Sequence, residues 1–168
     1  MKLSVEQELP FTVLTHMTAK GPQAVNLVKL IAGKKVVLIG MPGAFTQTCT
    51  RSHLPSLIRN SSSIFNNGID EIICIIVNDI HVAKAWGEVT GATQAGIKIL
   101  CDLESKFATS TGLSFSAPPV GFFERLQRFS MIIDDNTIKH IQLEEKRGEC
   151  NLTSGESILN ILEQIFYS

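Results

Sequence analysis

Long apolar runs are missing from this chain: none approaches the roughly 18 residues that a helix needs to cross a bilayer, so a helical membrane span is excluded. Met1 to Pro10 also lacks a basic-then-apolar signal segment and an Arg-rich transit helix, and the expected location is the cytoplasm. An excess of one charge is missing as well. Fifteen basic residues against sixteen acidic ones leave a formal net charge of −1, which argues against nucleic acid or an anionic membrane as partner. Cysteine is scarce. The four present, at 49, 74, 101 and 150, are too sparse for a disulfide scaffold in 168 residues and show neither CxxC nor Cys/His zinc spacing. Any cysteine that matters here therefore matters as a thiol. No repeat, low-complexity tract or linker divides the chain, and 44% hydrophobic residues suffice for one continuous core. A single domain over residues 1–168 is expected.

What is present reads as α/β. Lys35 to Gly40 and Asp70 to Asn78 are continuous β-branched runs, the mark of strands buried on both faces of a parallel sheet. Residues 41–69 between them leave room for a helical crossover. After Asn78, Val82, Ala85, Trp86 and Val89 recur at helical spacing, and Ile97 to Leu100 resumes a strand. Phe129 to Ile133 and Thr137 to Leu143 flank Asp134-Asp135-Asn136, a turn composition that predicts an antiparallel hairpin. Thr153 and Glu156 are placed as a capping box ahead of a closing helix with the apolar stripe Ile158, Leu159, Ile161, Leu162, Ile165 and Phe166.

The chemistry concentrates between Gly40 and Cys49. This stretch leaves a buried strand and enters a helical segment expected to run to about Asn66, the kind of loop where open α/β sheets hold ligands. A cysteine in the first turn of a helix meets the positive end of the macrodipole and unsatisfied backbone N–H groups, both of which favour thiolate over thiol. Thr46 and Ser52 occupy the positions three before and three after Cys49, so no disulfide can close inside the motif. Thr46 instead offers a hydroxyl, donor and acceptor together, to a small oxygen-rich substrate. His53 lies one helical turn beyond Cys49, as a base or half of a metal site. A pair without further ligands holds metal poorly, and a structural hydrogen-bonding role is expected. Pro55, inside the helix, is expected to bend it.

Pro42-x-x-x-Thr46-x-x-Cys49 resembles the active-site signature of the peroxiredoxins, and PGAFTQTCTRSHLPS, Pro42 to Ser56, is similar to their type II, or fifth, subfamily. The likeness continues through Val77-Asn78-Asp79, Ala85-Trp86 and Arg128-Phe129-Ser130-Met131. This resemblance implies a thioredoxin-like fold, with a central mixed β-sheet flanked by helices, and the reduction of hydrogen peroxide or alkyl hydroperoxides. It implies that Cys49 is the peroxidatic cysteine, that Thr46 binds and orients the peroxide, and that Pro42 shields the pocket from water. Arg128 matches the family's arginine, which would stabilise the thiolate and the charge on the departing oxygen. Backbone N–H groups of Thr48 and Cys49 would hydrogen-bond the substrate, and Cys49 would become a sulfenic acid. Arg125 is the alternative arginine; only the register before Phe129-Ser130-Met131 selects Arg128. No metal, haem, flavin or other cofactor is implied.

The second half of the cycle stays open. Cys74 follows Cys49 at a separation like that of a second cysteine in plant type II relatives, yet it sits in the core run IICIIV. A disulfide needs Cα atoms within about 7 Å, so its use would require the Cys49 helix to unwind locally. Cys150 lies in the polar segment Glu144 to Ser154, near the resolving cysteine of animal members, although Leu152 takes the matching place. Cys101, at a strand end, is expected to be inert. The resolving group is Cys74, Cys150 or an external thiol. No glutaredoxin module follows Ser168, so thioredoxin, glutaredoxin or glutathione is expected to act in trans, on a homodimer formed near the active-site loops. Two other readings compete: a peroxide sensor relaying oxidation to a partner protein, and a Cys/His hydrolase using Cys49 and His53, which lacks an orienting group.

Overall fold

The structure is a computed structural model and describes residues 3–167, the side chain of Tyr167 excepted. Met1, Lys2 and Ser168, the first two belonging to the N-terminal stretch read above, lie outside the described residues. A hairpin of β1 (Val13–Thr18) and β2 (Gly21–Asn26) leads through the short helix α1 (Leu27–Ile31) into β3 (Lys35–Gly40). Then come α2 (Leu54–Asn66), β4 (Glu71–Ile76), α3 (Ile80–Thr90) and β5 (Ile97–Cys101), in the alternating order expected. The short helix α4 (Lys106–Ser110) precedes a small separate hairpin, β6 (Ser114–Ala117) with β7 (Phe122–Leu126). The chain closes with β8 (Phe129–Asp134), β9 (Thr137–Leu143) and α5 (Gly155–Tyr167).

Seven strands among the described residues form one mixed sheet in the order β2-β1-β5-β4-β3-β8-β9. β3, β4 and β5 run parallel, and β8 and β1 flank them antiparallel. The continuous apolar runs follow from burial on both faces, because alternate residues of a strand point to opposite sides. Val37, Ile39, Ile72, Cys74 and Ile76 face the core beneath α2, α3 and α5, while Val36, Leu38, Ile73 and Ile75 face the one beneath α1 and α4. The β8–β9 turn is tight because Asp135 and Asn136 both take positive φ, +45° and +67°, the requirement of a type I′ hairpin. No helix among the described residues is long and apolar enough to cross a membrane.

Three local expectations need correction. α3 buries Ala83, Trp86 and Gly87 and packs Val82 on the same core, but Ala85 and Val89, of the four residues read at helical spacing, are exposed. Thr93 and Ile99 pack so closely against Gly87 that a Cβ would collide there, which moves the buried face one step round the helix. α5 is capped by Ser154, whose Oγ accepts from Ser157 N at 3.2 Å. Thr153 and Glu156 do not form a capping box, since Thr153 Oγ donates to Glu144 Oε1 and Glu156 pairs with Arg59. Pro55 sits at the second position of α2, directly after a π-helical turn (Cys49–His53) in which Leu54 N donates to Cys49 O. The proline's missing N–H therefore falls where the hydrogen-bond ladder has already changed register.

Candidate active site

The loop after β3 is held from several sides. Met41 N donates to Ile75 O at 3.3 Å, which prolongs the β3–β4 ladder. Asn78 Oδ1 accepts from Ala44 N at 2.9 Å, and Arg125 Nη1 donates to the Pro42 carbonyl at 3.0 Å. Gly43 leaves room for this guanidinium, since a Cβ there would displace Arg125 Nη1 from its place on the Pro42 carbonyl. Phe45, at φ +59°, bends the chain so that Thr46 Oγ1 donates to Gly43 O at 2.8 Å. That bond commits the Thr46 proton and leaves its oxygen lone pairs as acceptors. Strain of this kind in a non-glycine residue costs on the order of 1–3 kcal/mol and persists only where neighbours hold it.

Thr50 N donates to Thr46 O at 3.0 Å, the first turn of the helix that carries Cys49. The N–H groups that precede it have no intrahelical acceptor by construction and point toward the loop. Trp86 Nε1 donates to Thr50 Oγ1 at 3.1 Å, and Thr48 Oγ1 donates to Gly148 O at 3.0 Å, so this turn is pinned to α3 and to the segment before α5. Cys49 itself is fully buried, and Pro42 in the loop that precedes it is buried too.

Arg128 comes from the link between β7 and β8 and is only 4% exposed. Its Nη2 donates to Cys49 Sγ at 3.1 Å and its Nη1 to His53 Nδ1 at 2.9 Å. His53 Nε2 lies 2.9 Å from the Thr153 carbonyl, which can only accept. The tautomer follows: Nε2 carries the proton and Nδ1 accepts from the guanidinium. Burial first, and then the Arg128 charge, push the His53 pKa down to about 3, against a weaker upward pull from its bond to Thr153; the ring is neutral. Among the described residues no carboxylate forms an ion pair with Arg128, and its buried Nε has no partner. A buried cation is costly unless its donors are satisfied, and the Arg128 guanidinium directs its two bonds to the His53 ring and the Cys49 sulfur. Such an arrangement supports a thiolate nucleophile and supplies a charged donor beside it.

The two arginines weighed from the sequence therefore sit in different places: Arg128 at the sulfur, Arg125 at the loop carbonyl. Arg51 is exposed. Cys74 lies within β4, fully buried in the same core cluster as Cys49, and burial pushes its thiol pKa strongly upward. Cys101 is also buried, with its pKa raised to about 12 by burial and then by Asp79. Cys150 is partly exposed and lies beside Gly148, which contacts Thr48; burial raises it to about 11 against the opposing pull of Arg128. All four cysteines are free. Sequence reasoning missed the clamps at Asn78, Arg125 and Glu144. Asn78 stood inside a quoted landmark without a role, whereas Glu144 carries no sequence signal because two of the three groups it holds are backbone N–H groups and the third is a hydroxyl nine residues on.

The redoxin family model matches residues 4–159. Peroxiredoxin-2E-2, chloroplastic, of Oryza sativa subsp. japonica is 35% identical over 164 residues, covering 95% of this chain and 72% of the relative. Peroxiredoxin-2D of Arabidopsis thaliana is 38% identical over 140 residues, covering 83% of this chain and 85% of the relative. The crystal structure of reduced Prx3 from Vibrio vulnificus in complex with hydrogen peroxide is 36% identical and superimposes with a TM-score of 0.89, covering 96% of this chain and 99% of that one. Matches of this extent, over a mixed sheet and a buried cysteine at a helix start, show that the chain belongs to the peroxiredoxins of the redoxin family, thiol-dependent peroxidases with the thioredoxin-like fold.

Proposed function

We propose that this chain acts as a single-domain peroxidase in which Cys49 is the peroxidatic nucleophile, with Arg128, Thr46 and Pro42 as the groups that serve it. The observation that carries this reading is the 3.1 Å bond from the buried Arg128 guanidinium to Cys49 Sγ. The thiolate attacks one peroxide oxygen, and the O–O bond breaks heterolytically. The departing oxygen leaves as hydroxide or alkoxide and takes a proton to become water or alcohol, while Cys49 becomes a sulfenic acid. Arg128 and the free N–H groups of Thr48 and Cys49 meet the negative charge as it develops, and the Thr46 oxygen accepts the peroxide O–H. Pro42 keeps water from the sulfur. Hydrogen peroxide is the first substrate of this reading, supported by the Vibrio vulnificus relative whose crystal structure holds it. Cys49→Ser abolishes peroxide consumption with the fold intact; appreciable turnover in that variant would sink the proposal.

For recycling, the reading favours Cys150 over Cys74. Cys74 lies in a central strand of the sheet, whereas Cys150 lies in a segment tied to the first turn of the Cys49 helix through Thr48 and Gly148. Thioredoxin, glutaredoxin or glutathione then reduces the disulfide in trans. Mass spectrometry after one equivalent of peroxide is expected to find Cys49 joined to Cys150. A Cys49–Cys74 bond, or a sulfenic acid that persists until an external thiol is added, overturns this step. Repeated turnover with reductant separates an enzyme from a sensor that passes its oxidation on once. A homodimer through the face carrying Phe45, Val120 and Phe123 completes the proposal. Free cysteines suit a reducing compartment, here taken as the cytoplasm, which immunolocalisation in the source cell checks.

A further inference from the structure

The segment between β9 and α5 is fastened by one carboxylate. Glu144 Oε1 accepts from Leu152 N, Thr153 N and Thr153 Oγ1, each at 2.8 Å. Thr153 is fully buried, and its carbonyl accepts the Nε2 proton of His53 at 2.9 Å. This bond fixes the tautomer that leaves His53 Nδ1 free to accept from Arg128 Nη1, and the same guanidinium then aims Nη2 at Cys49 Sγ. From Glu144 to the sulfur every contact is a hydrogen bond between buried or half-buried groups, where misplacement is costly. We propose that Glu144 is a positioning residue for the reaction at Cys49, acting through the Thr153 carbonyl and the neutral His53 ring to hold the Arg128 fork in register.

The chemistry of the chain explains why a carboxylate does this. A carboxylate oxygen accepts several donors at once, and charge-assisted bonds to backbone N–H groups are shorter and stronger than neutral ones. Without Glu144 the Leu152 and Thr153 N–H groups turn to water and the Thr153 carbonyl loses its fixed direction. His53 then has no obligatory acceptor at Nε2, and its Nδ1 lone pair no longer dictates the plane of the guanidinium. Arg128 Nε makes no bond of its own among the described residues, so the fork is oriented through its bonds to His53 and the sulfur. A second tie, from Gly155 N to Ser56 Oγ and on to the His53 carbonyl, keeps α5 docked on α2 independently of Glu144.

This inference rests on the proposed role of Arg128, and its test keeps the two apart. The measurement is single-turnover, stopped-flow oxidation of the reduced protein by hydrogen peroxide, before any recycling step. The proteins are wild type, Glu144→Ala, Glu144→Gln, Arg128→Ala and the Glu144→Ala/Arg128→Ala double variant. Glu144→Ala is expected to slow oxidation about tenfold, within the range of coupling seen between residues of one hydrogen-bond network. Glu144→Gln keeps an accepting oxygen and is expected to stay within about threefold of wild type. In the Arg128→Ala background the Glu144→Ala loss is expected to vanish, because the route through which Glu144 acts is gone. A tenfold loss that persists in that background marks general damage and overturns the inference, as does a wild-type rate in Glu144→Ala. A wild-type rate in Arg128→Ala overturns the reading of Arg128 and this inference with it. Glu144→Asp, which withdraws the oxygen by one methylene, repeats the comparison if the alanine variant does not fold.

Discussion

Arg128 is buried, forms no ion pair with a carboxylate among the described residues, and donates its Nη2 to the Cys49 sulfur. Two outcomes follow from that geometry. Arg128→Ala removes both the stabilisation of the thiolate and a charged donor to the departing oxygen. It is therefore expected to slow peroxide reduction on the order of 100-fold. Arg128→Lys restores charge but cannot bond His53 and the sulfur with one planar fork, so it recovers only part of the rate. Stopped-flow peroxide kinetics of the two variants check both. His53 gives a prediction about acid. Its folded pKa, about 3, lies below the ordinary 6.5, so the unfolded chain binds the extra proton in that window. The contribution of a neutral His53 is full above about pH 6.5 and is lost as pH falls toward 3. His16 and His140, lowered by partial burial, act in the same direction. Melting temperatures measured between about pH 4.5 and about pH 7.5 should fall with acid in wild type and fall less in His53→Gln; identical slopes would mean that the ring is not held neutral. At this scale Cys49, Thr46 and Pro42 were legible because they stand in one contiguous string. Arg128 was legible only by register, and Glu144 not at all, because two of its three donors are backbone N–H groups, which leave no trace in the sequence.

Among the elements, β3, α2, β4, α3 and β5 could be read from the sequence because burial on both faces leaves uninterrupted β-branched runs. The β1–β2 hairpin could not. Of its residues only Leu14 is buried, and Pro22 is tolerated because β2 is an edge strand. The π turn was equally hidden, since one extra residue in a single turn leaves no periodic trace. It nonetheless decides where Cys49 and His53 sit, as a guanidinium bridges the two side chains instead of their meeting on one α-helical face. The packing of α5 on α2 yields a prediction at this scale. Gly155 approaches the Ser56 backbone so closely that a Cβ would collide with its carbonyl, and backbone cannot turn aside as a side chain can. Gly155→Ala is expected to destabilise the protein by roughly 1–3 kcal/mol, the cost of overpacking. It should also weaken the Gly155 N to Ser56 Oγ bond that steadies the His53 carbonyl. Chemical denaturation measures the first effect, and unchanged stability would show that α5 shifts without cost.

For the molecule as a whole, the open question is what covers the apolar side chains around the active-site loop. Phe45, Val120 and Phe123 are 54%, 65% and 64% exposed, and they belong to the loop after β3 and to the β6–β7 hairpin, which the Arg125 bond to Pro42 O fastens together. Exposed apolar side chains held on joined, rigid segments mark an interaction surface more than isolated ones do. A second copy seated there would cover the strained Phe45 and shelter the approach to Cys49 from bulk water. A rival patch exists: Phe11, Val13 and Leu103, at 74%, 49% and 51%, line a cleft at the β1 side of the sheet. Placing a charge in a buried interface separates the two, because an unpaired charge there costs several kcal/mol whereas on a free surface it costs almost nothing. Sedimentation equilibrium is expected to find wild type as a dimer, Phe123→Glu and Val120→Glu as monomers, and Phe11→Glu still dimeric. The monomeric variants should also oxidise more slowly with peroxide, since the loop would lose its cover. Dissociation by Phe11→Glu alone would move the interface to the β1 side, and a monomeric wild type would remove it altogether.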